Sequence, residues 1–412
     1  MYSGENMKVA VIGAGAAGLM AAYAAASNGN DVTVFEKNSK CGKKIYITGK
    51  GRCNFTNDVA PDEFLQNVVN NARFLTGAIY SFSPKRCIDF FEAGGMSVKV
   101  ERGNRAFPVS DKASDVTRCL ENYCKRVGVK FVFDTEIKDI IILNSTVSGI
   151  ITDKEQLSFD KVIVCTGGMS YPSTGSTGDG YRFARECGHK TVEPVPALCG
   201  LNVCGSFYKK LQGLTLKNVC LTASYRGKVI FSQMGEMLFT HFGISGPLVL
   251  SLSSVINRLN FKEIVVKIDL KPALSEEVLD KRILRDFSEN ANKSLSNCLK
   301  NLLPSSMIAC VLEKSGLDGD KKVNSVTRTE RAALLTTLKN FDIMIASLRD
   351  FSEAIITSGG VSVSEINPKT MESKLVKGLY FCGEVLDVDA FTGGFNLQIA
   401  FATGFAAGNS IK

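Results

Sequence analysis

A chain of 412 residues, 45% apolar and 22% charged, has room for two or three domains with real cores and is neither disordered nor fibrous in composition. Its formal charge of +8 comes from Lys and Arg spread along the sequence with no long basic block, so a solvated mixed-charge surface is expected rather than a nucleic-acid footprint, while attraction to acidic substrates stays open. No apolar run reaches membrane-spanning length, and Met1–Asn6 lacks the charged-then-apolar layout of a signal peptide, with Met7 an alternative start, so the 13 cysteines read as reduced thiols of a cytoplasmic protein that engages no membrane.

Lys8 to Ile12 is a short apolar run bounded by glycine, which predicts a strand. Gly13-Ala14-Gly15-Ala16-Ala17-Gly18 follows, then an Ala-rich helix to about Ser27 and a second strand, Asp31 to Phe35, ending on Glu36. This is the G-x-G-x-x-G turn in the strand–turn–helix–strand setting that gives it meaning. Gly13 allows the tight turn, Gly15 lets a pyrophosphate approach the backbone, and Gly18 lets helix and strand pack closely. The helix N-terminus offers unpaired N–H groups to phosphate, and a carboxylate at Glu36 is placed to accept from a ribose diol.

Cys41 to Asn57 reads as a glycine- and lysine-rich loop on the ligand crevice, with Gly49 and Gly51 permitting close backbone approach and Lys43, Arg52 and Asn54 as candidates to face a cofactor. Eleven residues separate Cys41 from Cys53, against four in disulfide reductases, so no dithiol relay is expected; Cys53 reads as a buried, inert thiol unless Arg52 lowers its pKa. Pro61 to Ala93 is read as helical in pieces, with Pro84 opening the second, Arg102 to Pro108 as a turn or hairpin, and Ser110 as the cap of a helix running to Arg126. Strands follow at 129–133, 136–143, 147–152 and 157–159, then Lys161 to Cys165 closed by Thr166-Gly167-Gly168, which brings backbone N–H groups next to the first glycine turn. The Ile137 backbone is a candidate adenine contact. Tyr171 to Gly180 is too rich in Gly, Ser, Thr and Pro for regular structure; a helix, Tyr181 to Cys187, follows, and Pro194 and Pro196 mark a crossing into another region.

From about Ala197 the pattern turns to strands, 216–225, 228–232 and 264–270, which suggests a small β-barrel or sandwich. Within it, Phe239-Thr-His241-Phe-Gly-Ile-Ser-Gly-Pro247 leads into an apolar helix. His241 is a candidate proton carrier near a substrate pocket, with a turn histidine as the equal alternative. Only one other histidine exists, His189, and without C-x-x-C or H-x-x-x-H no metal site is expected. Lys271 to Arg331 is polar, helical and nearly balanced in charge, and Phe341 to Leu348 reads as a return strand. Ile355 to Val363 is a strand with a glycine break, and Gly378 to Asp387 a strand ending on Gly383-Glu384, which suits a carboxylate on the ribityl chain of FAD. Thr392-Gly-Gly394-Phe395-Asn396-Leu397-Gln398 opens an apolar helix whose dipole suits the flavin pyrimidine edge. No second G-x-G-x-x-G follows a strand, so no second dinucleotide domain is built in.

The run from Val9 to Glu36, the segment Gly42 to Asn54, the Tyr171 loop, Phe239 to Pro247, Thr357-Ser-Gly-Gly-Val361 and Gly378 to Gln398 together resemble one bacterial family, the BaiN-type NAD(P)/FAD-dependent oxidoreductases, also called the aminoacetone oxidase family. The resemblance covers nearly the whole chain and is weakest in the helical region. It implies an α/β fold: a two-dinucleotide-binding-type, Rossmann-like FAD domain built from both chain ends (1–195 and 352–412), interrupted by a β-barrel (196–272), a helical insert (273–335) and a return strand (336–351). It implies non-covalent FAD held by Gly13, Ala14, Gly15, Ala17, Gly18, Glu36 and Lys37, by Lys43, Thr48, Gly49, Gly51, Arg52, Cys53 and Asn54, by Ile137, Cys165, Thr166 and Gly167, and by Gly383, Glu384, Gly394, Phe395, Asn396 and Leu397. It implies reduction of conjugated double bonds such as those of 3-oxo bile-acid intermediates; the leading reading of the chain is then NAD(P)H-driven hydride transfer from FAD to a small conjugated enone, with His241 and Tyr171 as candidate proton donors. Oxidation of a small amine such as aminoacetone by oxygen, modification of tRNA, and a non-catalytic flavin sensor are the alternatives. Oligomeric state is not readable from the sequence.

Overall fold

The computed structural model describes residues 6–412, so the leader reading of Met1–Glu5 lies outside them. The chain forms two compact units, Met1–Ala197 with Phe351–Lys412, and Leu198–Asp350.

The first unit is organised on a five-stranded parallel sheet in the order Leu379–Phe381, Lys161–Val164, Lys8–Ile12, Asp31–Phe35, Lys130–Val132. Strands covered on both faces read as continuous apolar runs, and Val9 to Val11 and Val162 to Val164 are fully buried. The register Val164↔Phe381 brings a strand from the far end of the chain beside one from the first half. The glycine-turn helix, Ala16–Ser27, is buried along most of its length and packs on the C-terminal helix, Phe395–Ser410. Alternating sequences between turn signals give the antiparallel meander 137–143, 146–152, 156–158 and the hairpin 98–101, 105–108.

Several local expectations change. The Cys41–Asn57 segment is partly helical, Lys43–Ile47 and a 3-10 turn at Thr48–Gly51, because Gly42 starts the helix in a left-handed conformation and Gly49 and Lys50 (φ 55° and 57°) break it. Pro84 opens the third helix of its region, not the second, after Pro61–Leu65 and Ala72–Ser81 with a short strand, Val68–Asn70, between them. Ser110 is not an N-cap: the helix begins at Ala113, and the Ser110 hydroxyl accepts from the Lys112 N–H and donates to Asp115. The Tyr171 loop contains a 3-10 turn, Pro172–Thr174, and its helix begins at Asp179. Pro194 and Pro196 do stand just before the boundary to the second unit at Leu198, but inside a strand, Thr191–Ala197, which among the described residues pairs only with Ile356–Val361 and is bulged between Val192 and Val195, where missing N–H groups are tolerated.

The second unit holds a seven-stranded antiparallel sheet in the order 341–343, 264–269, 215–225, 228–239, 243–245, 201–203, 345–348. Its two edges are consecutive pieces of one segment, Phe341–Leu348, paired with Ile264–Asp269 on one side and Leu201–Val203 on the other. The strand after Tyr225 runs to Phe239 rather than Ser232. Strand residues such as Leu221, Phe239 and Ile268 share one core with Leu279, Val311 and Leu334 from the polar helices. Among the described residues no helix is long and apolar enough to cross a membrane.

In the first unit the His189 ring is enclosed, with Nε2 2.8 Å from Ser373 Oγ, its edge against Phe381, and Nδ1 3.3 Å from Glu365 without an aligned hydrogen bond. Burial lowers its pKa and the Glu365 carboxylate opposes that. In the unfolded chain a histidine titrates near about 6.5. Above that value both states are neutral and the stability is complete; below it only the unfolded chain takes up the proton, so stability falls with pH until the lower folded value is passed. Urea unfolding between about pH 7.5 and 5.5 is expected to show wild type losing up to ~1.4 kcal/mol per pH unit more than His189→Gln. Parallel slopes for the two proteins would contradict this.

Candidate cofactor site

The three glycines of the first turn do different things. Gly13 has φ of 101°, and a Cβ there would lie 2.6 Å from the Cys165 carbonyl oxygen; at Gly18 it would lie 1.9 Å from the Gly13 oxygen. These two are required by the fold itself, and they press the turn against the end of the strand carrying Cys165. A Cβ on Gly15 would meet nothing within 4 Å. Its lack of a side chain leaves open space in front of a helix whose first turn no side chain caps.

Glu36 closes this half. Its carboxylate accepts from the N–H of Ala14 (2.9 Å) and from the backbone and side chain of Asn38 (2.9 and 2.6 Å), and Lys43 Nζ donates to Asn38 Oδ1 (2.7 Å). Lys37 turns away and holds the Tyr171 loop through Thr177 and Asp179 (2.6 and 2.7 Å). Ile137 is buried at the start of the meander, next to Thr135–Glu36 backbone pairing. An open cavity of about 450 Å³ is lined by Lys37, Asn38, Asp134, Glu136, Asp153 and the Pro172–Thr177 loop.

The second half comes from the C-terminal segment. Gly383 (φ 75°) lets its turn approach the glycine-turn helix, since a Cβ there would lie 2.8 Å from Ala17 Cβ. Gly394 (φ 96°) starts the C-terminal helix without a side-chain cap; a Cβ there would meet Thr56 O at 2.4 Å and Asn54 Oδ1 at 2.9 Å. Asn54 and Gly394, 340 positions apart in sequence, are thus neighbours. Asn54 Oδ1 and Thr166 Oγ1 are buried and without a hydrogen-bond partner. Buried polar atoms left in this state call for a ligand or water. Two such oxygens, an open cradle at Gly15 and two uncapped helix starts fit a long, phosphate-bearing dinucleotide.

Other residues of the expected set have structural work. Arg52 is ion-paired with Glu101 and Asp111 and lies over the Phe107 ring. Its charge is compensated by those two carboxylates, and the Cys53 thiol, fully buried, is pushed up to about 12 by desolvation, with Thr48 and not Arg52 opposing the rise. Thr48 bonds back to the Ile45 carbonyl, and Gly49 and Gly51 supply positive φ. Asn396 staples the Ala390–Phe391 backbone, Phe395 packs edge-on to Phe64, and Leu397 is half-buried. Glu384 is engaged on both oxygens: Lys44 Nζ donates to one (2.6 Å), and Ser170 Oγ and the Thr357 N–H to the other (2.9 and 2.8 Å). Sequence reading passed over Lys44, Asn38, Ser170 and Thr357; the doubled lysine after Gly42 was the available signal.

The two proton-donor candidates fall in different units. Tyr171 is half-buried with φ of 52°, rare for an aromatic residue, and its N–H donates to the Phe351 carbonyl. Burial and then Glu353 raise its phenol pKa. His241 is exposed, edge-on to Phe242.

A Rossmann-type sheet carrying two glycine-bearing half-sites from opposite chain ends defines a dinucleotide-binding protein. More specifically, the chain belongs to the HI0933-like family, whose Rossmann-domain description matches residues 7–410. It is 31% identical over 407 residues, 98% of each chain, to the 3-dehydro-bile acid delta(4,6)-reductase of Clostridium scindens. It is also 31% identical over 408 residues, again 98% of each chain, to the ribosomal RNA dihydrouridine synthase of Haemophilus influenzae. Among solved structures it shares the fold of the 3-ketosteroid-delta4-(5alpha)-dehydrogenase of Rhodococcus jostii RHA1, with a TM-score of 0.54, 14% identity, and coverage of 100% of this chain and 98% of that one.

Proposed function

We propose that the protein saturates a carbon–carbon double bond conjugated to a carbonyl, using FAD with NAD(P)H as electron donor. The observation that carries this reading is that two differently named full-length relatives describe one chemistry. A delta(4,6)-reductase of 3-dehydro bile acids and a dihydrouridine synthase both add hydrogen across such a bond, in a steroid enone and in the uracil ring. FAD, when bound, supplies the hydride-transfer chemistry.

The chain's own residues bind and orient. Gly15 and the start of the Ala16–Ser27 helix receive the pyrophosphate, Glu36 the ribose, and Asn54 Oδ1, Thr166 Oγ1 and the Gly394 helix start the remaining polar edges. A phenol is protonated at neutral pH, and burial followed by Glu353 raises the Tyr171 pKa further, so Tyr171 holds a proton to give when the bond is saturated. His241 is the second candidate for that role.

A 3-oxo enone of steroid size is the first substrate reading. A uracil in RNA is the second, favoured by charge: Leu198–Asp350 carries 21 of the chain's 49 Lys and Arg but only 14 of its 41 Asp and Glu. The test is anaerobic. Protein loaded with FAD is mixed with NADH or NADPH and the flavin absorbance followed, then a steroid 4-en-3-one or a ribosomal RNA fragment is added. Bleaching followed by enone-driven return of colour is expected. Return with RNA alone selects the second substrate, and no bleaching by either nicotinamide removes the proposed donor.

A further inference from the structure

Four segments of the first unit meet at the Glu384 carboxylate: the short helix after Gly42, the residue before Tyr171, the strand through Thr357, and the Gly383 turn. Lys44 Nζ donates to Glu384 and also to Ser170 Oγ (2.5 Å), and Ser170 donates to the other carboxylate oxygen. The Ser170 N–H is itself held by Thr357 Oγ1 (3.1 Å), whose own N–H donates to Glu384. The Lys44 and Glu384 side chains are only 23% and 21% exposed, so the pair is largely withdrawn from water. The preceding residue points elsewhere: Lys43 reaches Asn38, which holds Glu36. One helical turn thus sends adjacent lysines to the acids of the two half-sites.

The charge arithmetic gives this arrangement a purpose. A dinucleotide brings a dianionic pyrophosphate into a site that already holds two carboxylates. Like charges in a partly desolvated setting repel strongly unless each is compensated. The geometry points to Lys44 as a positioning residue that neutralises and orients Glu384, so that this carboxylate can accept from the cofactor's hydroxyls without repelling its phosphates. The inference rests on the reading of the site as an FAD site, and assigns Lys44 a role through Glu384 rather than on the cofactor.

Titration of apoprotein with FAD, read by flavin fluorescence, tests it in wild type, Lys44→Met, Lys44→Arg, Glu384→Gln and the double variant Lys44→Met/Glu384→Gln. Lys44→Met is expected to weaken FAD binding by about 30- to 100-fold, the scale of removing one partner of a withdrawn charge pair. Lys44→Arg stays near wild type. The defect shrinks with added salt, which screens the repulsion. Most tellingly, adding Lys44→Met to Glu384→Gln costs little, because the charge it would leave exposed is gone. Wild-type affinity in Lys44→Met, or an equal loss with and without the Glu384 charge, overturns the proposal. If Lys44→Met does not fold, Lys44→Gln keeps a donor toward Glu384 and supports the same comparison. Wild type that takes up no FAD would refute the underlying site reading instead.

Discussion

Valine at Gly15 is expected to yield a folded protein that holds no flavin. Gly15 has φ of −84° and ψ of −168°, a conformation open to any L-residue, and a Cβ there meets nothing within 4 Å. The protein by itself therefore gives no reason for a glycine at this position. The reason has to be something that occupies the space, and a pyrophosphate approaching the helix start is what this turn admits. Crowding of that approach costs ~3 kcal/mol, roughly a hundredfold in affinity. Apo Gly15→Val should melt with wild type by circular dichroism and fail to quench FAD fluorescence at concentrations that saturate wild type. The neighbouring glycine behaves in the opposite way: at Gly18 a Cβ would sit 1.9 Å from the Gly13 oxygen, so Gly18→Val loses the fold before binding can be asked about. Normal FAD uptake by Gly15→Val would remove the glycine turn from the cofactor site.

This contrast also marks how far the sequence could be read. The first turn, its two strands and Glu36 were legible because their signals are local: glycine spacing, a short apolar run, an acid at a strand end. The Gly383 and Gly394 half-site was legible for the same reason. What joins the halves was not. Glu384 meets Lys44 across 340 positions and Ser170 across 214, and no local periodicity records such pairings. Arg52 read as a candidate to face the cofactor because its loop follows the strand carrying Glu36, yet Glu101 and Asp111, remote in sequence, hold its guanidinium. Pro194 and Pro196 marked the crossing into the second unit at Leu198 but not the strand they occupy, because a strand with a bulge, which tolerates them, is a tertiary fact. The even spread of lysines hid their excess over acids in Leu198–Asp350, because with no basic run to mark it the excess shows only in a count over the whole segment, whose bounds the fold supplies.

A measurable loss of stability in a protein that still folds is expected away from the first glycine turn, at Gly408. A Cβ at Gly404 would lie 2.3 Å from the Ala17 oxygen, and one at Gly408 2.2 Å from the Ala21 oxygen and 2.8 Å from Ala24 Cβ. Residues four apart share a helix face, so both glycines face the glycine-turn helix and let the two backbones touch. The partner surface, Ala17, Ala21 and Ala24, is equally small and buried. One helix starts at the first glycine turn and the other at Gly394, so their contact fixes the spacing of the half-sites. Gly408→Val must part them, at a cost of ~3 kcal/mol, or about 6–12 °C in melting temperature. FAD affinity should fall in the same variant although the residue touches no ligand. Because a ligand that binds only the folded form stabilises by mass action, FAD at about 100 times its Kd should return roughly 2.7 kcal/mol to wild type. The same concentration should return less to Gly408→Val, whose Kd has risen. Calorimetry of both proteins with and without FAD reads both terms. A variant melting with wild type would mean the helices do not meet backbone to backbone. Equal FAD-induced shifts would mean their spacing does not set the site.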